Sequence, residues 1–306
     1  MAVAAVRRLA KGLADSVQGV VYDLQLDEVV WPRSGRRRPD VLKGDDTRIP
    51  VIELDWCFGR RLDHRDAQGL LRLLRGHLPE CTPRRFGVFE PMQGRLDRDG
   101  DDAFASYWAG SESVFWNATW PCFGGAATLW RDCNHLYDDP PLPWVDRIGL
   151  SFDGRAPAAD DAWSDGISDL FAVVAEQFEP FYAAASVDLN VRCSRNNTLS
   201  YDNEVERYTT IGRFWLGLPP FGTWLTWFGA PYADLVRSAV GSPVNRGEAV
   251  VAARRGSDVF LRVGNRPLDA RELAGHYPDL PKDLIRTGGI HAADLMARTI
   301  PDFADD

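Results

Sequence analysis

The stretch 211–240, IGRFWLGLPPFGTWLTWFGAPYADLVRSAV, decides how this chain folds. Phe214, Leu216 and Leu218 alternate with Arg213, Trp215 and Gly217, a period of two that suits a strand with aromatic and branched side chains on a pleated surface. Pro219 and Pro220 end it, because proline gives no amide hydrogen to a sheet and restricts the residue before it. Residues 219–222 therefore read as a turn, and 223–228 as a second strand. Beyond Gly229-Ala230-Pro231, the side chains of Tyr232, Leu235, Val236 and Val240 fall on one helical face. The unit is strand, turn, strand, helix.

Upstream, Ile52, Leu54, Trp56 and Phe58 alternate with polar Glu53 and Asp55, which predicts a strand over 49–58 with one dry and one wet face. A helix is expected over 63–78. Asp63 is its N-cap, Asp66 sits at the capping-box position, and Ala67, Leu70, Leu71, Leu74 and Leu78 line one side before Pro79. Strands are expected over 84–90 and 145–152, one or two helical turns over 103–108, and a hairpin from 113–120 and 125–130. Trp163, Ile167, Leu170, Phe171, Val174, Phe178 and Phe181 recur at spacings of three and four, and Asp160, Asp161 and Asp165 favour the positive end of that helix. Residues 187–192 suggest another strand, and 248–253 with 258–263 a hairpin around Gly256.

These elements make an α+β protein, a mixed or antiparallel sheet with packed helices in one principal domain over 45–300. Residues 1–44, holding a helix over 2–17, a strand over 19–26 and a connection rich in Pro, Gly and Arg, are expected to pack on it. An acidic tail, 301–306, should fray.

Composition narrows the function. A chain of 306 residues with 45% hydrophobic content can bury a sizeable core. Its net charge of −9 opposes affinity for nucleic acid or anionic membranes and favours a basic protein partner. Neither a secretory signal nor a membrane-length apolar run is apparent, so the cytoplasm is the expected compartment. Cys57, Cys81, Cys122, Cys133 and Cys193 form no CxxC pair, which favours reduced, mostly buried thiols.

Candidate chemistry is sparse. Glu53, Asp55 and Glu90 are expected on two strands, and a hydrolase would need them to converge so that one carboxyl serves as acid and another as base; a wet sheet edge is the plainer reading. The run Asp97-Arg98-Asp99-Gly100-Asp101-Asp102 lacks the sixth-position glycine and twelfth-position glutamate of a calcium loop, and reads as a solvated acidic loop. Cys122, Cys133 and His135 lack zinc-site spacing, and no GxSxG, GxGxxG or P-loop motif occurs. No catalytic residue, metal or cofactor is expected. Trp56, Trp116 and Trp163 suit the core, whereas Trp130, Trp144, Trp224 and Trp227 lie near turns and are candidates for an interface.

GVVYDLQ at 19–25, RFGVFEP at 85–91 and GTWLTWFGAPYADLV at 222–236 resemble the pattern of bacterial immunity proteins of polymorphic or type VI secreted toxin systems. The resemblance spans 19–263 and depends most on Gly222, Trp224, Phe228, Gly229, Pro231 and Tyr232, with Ser242-Pro243 after them. It implies a cytoplasmic α+β protein that neutralises a cognate toxin by binding it, without catalysis. The acidic positions Asp97, Asp99, Asp101, Asp102, Asp138, Asp139, Asp160, Asp161, Glu204 and Glu206 would then face a basic toxin, with Trp224 and Trp227 as anchors. The alternatives are the carboxylate hydrolase and a general protein-interaction module.

Overall fold

The computed structural model describes residues 21–23, 28–31, 47–129, 145–194, 199–201, 210–211, 214–215, 217–241 and 250–286. The chain divides into two compact units, Met1–Thr47 with Ser194–Thr198, and Arg48–Cys193 with Leu199–Asp306. In the first, β1 (Val21–Asp23) and β2 (Glu28–Trp31) form an antiparallel hairpin. The predicted helix over 2–17 lies outside the described residues.

The second unit is built on one antiparallel sheet. Its strands are β3 (Thr47–Phe58), β4 (Arg85–Gly87), β5 (Gly94–Arg95), β6 (Ser113–Asn117), β7 (Cys122–Thr128), β8 (Asp146–Asp153), β9 (Tyr182–Cys193), β10 (Leu199–Ser200), β13 (Leu225–Phe228), β14 (Val250–Arg255) and β15 (Asp258–Val263). A separate pair, β11 (Thr210–Ile211) and β12 (Phe214–Trp215), stands apart from it. Across the sheet the order is β14-β15-β13-β9-β3-β8-β7-β6-β4-β5, with β10 pairing the far end of β9.

The alternation in β3 sorts its residues between the two faces. Ile52, Leu54, Trp56 and Phe58 enter the main core, where they meet α1 (His64–His77), α2 (Leu96–Gly110) and α4 (Asp161–Phe178). A short helix, α3 (Arg155–Ala159), leads into α4. On the opposite face Cys57, Tyr182, Phe228, Val259 and Leu261 pack with α5 (Tyr232–Gly241) and with Leu273 of α6 (Ala270–Leu273). Helices thus cover both sides of the sheet around β13 and β15.

Local chemistry sets the helix starts. The Asp63 carboxylate accepts from the Arg65 and Asp66 amides at 2.7 and 3.1 Å, and Asp66 accepts from the Asp63 amide at 2.7 Å, completing the expected capping box. Asp160 caps α4 by accepting from the Ala162 amide at 3.0 Å.

Two expectations need correcting. The acidic run 97–102 is the first half of the 15-residue α2, kinked where Gly100 takes φ 80°, a conformation open to glycine. The strand expected around Phe214 is only two residues long, and Trp215 is fully buried, donating its indole hydrogen to the Tyr232 hydroxyl at 2.8 Å. Among the described residues, no helix is long and apolar enough to cross a membrane.

Candidate functional site

Residues 118–121 join β6 to β7, and backbone bonds fasten this turn on three sides. The Thr119 amide donates to the Glu80 carbonyl at 2.9 Å, Cys122 to Thr119 at 3.0 Å, and Asp153 to Pro121 at 2.9 Å. The turn presents Trp120 outward with 60% of its surface exposed. The ring is nevertheless held. Its indole hydrogen is donated to Asp153 Oδ2 at 3.1 Å, and its plane meets Trp163 edge to face at 6.3 Å between centroids. Trp163, expected in the core, is half-buried on the first turn of α4, with its inner side against the main core.

Asp153 organises this patch. Its side chain is 1% exposed and accepts from the Arg155 amide at 3.0 Å and from the Arg155 guanidinium at 2.6 Å. Burial pushes the carboxyl pKa up, but the bonds from Arg155 and Trp120 outweigh it, leaving the group below the ordinary carboxylate range. The outward positions of α4 are acidic: Asp161, Asp165, Asp169 and Glu176 are exposed, and the helix contains no lysine or arginine. Asp161, Asp165, Arg262, Arg266 and Leu268 line a cleft of about 630 Å³ beside that surface. Within it Arg262 bonds Asp165 at 3.0 Å, yet it also donates to the carbonyls of Gly264 and Asn265 at 3.1 and 2.9 Å. Asp165 can therefore turn to an incoming cation without stranding Arg262.

The three candidate acid–base carboxylates do not converge. Glu53 and Asp55 share one face of β3, whereas Glu90 follows β4, four strands away and so on the order of 20 Å across the sheet. Glu53 accepts from Ser151 Oγ at 2.9 Å and from the Tyr201 hydroxyl. Asp55 accepts from Arg147 Nε at 2.8 Å. Burial lowers the Arg147 pKa, but the charge of Asp55 raises it further, so the net shift is upward. Gly149 makes room for this pair, since a Cβ there would lie 3.0 Å from Asp55 Oδ1.

The acidic turns of α2 bond within the chain. Asp97 pairs with Arg95 at 2.7 Å, Asp99 with Arg98 at 2.7 Å and Asp101 with Arg75 at 2.5 Å, while Asp102 accepts from Gln68 at 2.9 Å. Arg98 and the Arg95 amide hold the Asp99 carboxyl down to about 2. Asp138, Asp139, Glu204 and Glu206 lie outside the described residues, as do Trp130, Trp144, Cys133 and His135.

Trp224 and Trp227, expected as surface anchors, are 0% and 1% exposed and belong to the main core. Nearness to a turn misleads here because β13 lies between β9 and β15. Trp120 was missed for the converse reason. In a strand over 113–120 it would share the inward face of Trp116, but the strand ends at Asn117 and the turn swings Trp120 out. The Trp-Pro step at 120–121 was the available signal.

Comparison with known proteins gives little more. Neither a family model nor a curated protein matches the chain. Among solved structures, the Pseudomonas aeruginosa T6SS protein PA0821 matches with a TM-score of 0.47 and 13% identity, covering 74% of this chain and 72% of that one.

Proposed function

We propose that this chain is a stoichiometric protein binder of the immunity type, neutralising a basic toxin without catalysis. The observation that carries the reading is Trp120: a large aromatic left exposed while its hydrogen bond to Asp153 and its contact with Trp163 fix its position. Leaving an indole in water is unfavourable, and holding it rigid removes entropy that binding would otherwise have to remove. Tryptophans of this kind dominate protein interfaces. The adjacent α4 carboxylates and the net charge of −9 suit a basic partner and would speed its arrival. The dispersal of Glu53, Asp55 and Glu90 weighs against the hydrolase alternative.

The test is to express the open reading frame beside this gene with and without the chain. Growth arrest by the neighbour, rescue by co-expression, and a purified one-to-one complex are expected. A harmless neighbour, or a toxic one neither rescued nor bound, overturns the immunity reading. A complex that forms normally with Trp120→Ala moves the docking surface elsewhere.

A further inference from the structure

The two faces of the sheet are covered unequally. The main core packs along one face from β4 to β15, whereas α5 and α6 cover the other around β9, β13 and β15. From β4 to β8 that second face is open among the described residues: Ala126, on β7 between two neighbouring strands, is exposed. The outward row there is not the polar row expected of a wet antiparallel face. Register sets Gly87, Phe115, Ala126, Gly149 and Asp55 side by side across β4, β6, β7, β8 and β3, with the Phe115 ring half-buried. The next row begins with Arg85 on β4 and ends with Glu53 on β3, with Asn117 and Ser151 inside them. Both rows are laid out about β7. In the first, a ring on one side of Ala126 is matched by a glycine on the other. In the second, Arg85 and Glu53 stand two strands to either side of β7 with opposite charges. Arg85 donates to the Met92 carbonyl at 3.0 Å, and Glu53 accepts from the Ser151 and Tyr201 hydroxyls, all neutral groups.

We propose that this open face binds a second copy of the chain, the two sheets packed face to face about a two-fold axis along β7. Such an axis carries each position to the other side of β7 in the second copy. Arg85 of each protomer then meets the partner's Glu53, and Phe115 rests over the partner's Gly149, against the Asp55–Arg147 pair beside it. Alanine and glycine in the middle leave room for the facing ring, since packed sheets lie about 10 Å apart. An axis across the strands would instead bring the carboxylates of β3 towards the same strand of the second copy, like charge on like. A chain of net charge −9 repels its own copy, so self-association needs a face on which opposite charges meet. Five strands at a spacing of about 4.8 Å give a patch on the order of 20 Å wide, at the small end of stable interfaces, so the dimer is a reversible one. The α4 helix packs on the other face, and Trp120 lies against its Trp163, so the proposed toxin-binding surface stays open in both copies.

The experiment is sedimentation velocity of the full chain alone from about 5 to about 200 µM, where the mass of a dimer should grow with concentration. Ala126→Arg, at an exposed position, should remove the dimer while leaving the urea midpoint of the dilute chain unchanged. Arg85→Glu and Glu53→Lys should each weaken self-association at least about tenfold. An equimolar mixture of the two, in which both contacts again pair opposite charges, should dimerise as the wild type does. A monomer at about 200 µM, a dimer untouched by Ala126→Arg, or a mixture of folded variants that stays monomeric would overturn the proposal. If Glu53→Lys does not fold, the Ala126→Arg comparison decides alone. The toxin takes no part in these measurements, so this inference and the proposed function fail separately.

Discussion

Trp224 with Trp227 and Trp120 with Trp163 are two tryptophan pairs beside turns, with opposite fates. The first enters the middle of the sheet, with β9 and β15 flanking β13 and α4 packed beyond it. The second lies where β6 and β7 turn at the start of α4, and nothing among the described residues covers Trp120 fully. Whether a neighbouring element extends over the indole decides whether it becomes structure or a contact surface.

The sharpest way to break this contrast is to truncate both pairs. Trp227→Ala should cost roughly 3–5 kcal/mol, because it opens a large void in a core that relaxes only in part. Urea unfolding followed by circular dichroism measures it, and a loss below about 1 kcal/mol would mean that Trp227 is not packed as described. Asp153→Ala comes next, at about 2 kcal/mol, since it leaves the Arg155 amide and the Trp120 indole without their acceptor.

The same carboxylate has a pH signature. A pKa lowered on folding adds stability above the unfolded-state value, near 3.9, that is lost as pH falls through the lower folded value. Wild type should therefore lose more stability than Asp153→Ala between about pH 5 and pH 2, and parallel acid-unfolding curves would contradict that coupling.

Trp120→Ala should shift stability by less than about 1 kcal/mol, because the ring is already mostly in water. Its larger effect should be on the complex, where dissociation quickens by at least about tenfold with little change in association. Surface plasmon resonance separates the two rates. The smallest stability effect belongs to Asp161→Asn with Asp169→Asn, within about 0.5 kcal/mol, yet association should slow and become less dependent on salt. If association is unchanged in low salt, α4 does not face the partner.

Much of the fold was legible because its cues are local. The capping box of α1 lies within four residues, and Gly256 marks the β14–β15 hairpin with φ 66°. The start of α2 was hidden because aspartate and glycine favour turns, while the helix persists through the Arg75–Asp101 pair to α1 and the burial of Phe104 and Trp108. The candidate site was the least legible part. Its exposed tryptophan was absorbed into a strand pattern that stops three residues earlier, and its neighbour Asp153 is distant in sequence.

The tight space at Gly149 has a historical consequence. An alanine there while Asp55 and Arg147 remain paired would press on the carboxylate at about 3.0 Å, but the same alanine beside a shorter residue at 55 meets no such obstacle. Substitutions at the two positions are thus order-dependent: a lineage can fill 149 at little cost only after it has given up Asp55, and once 149 is filled the aspartate is hard to regain.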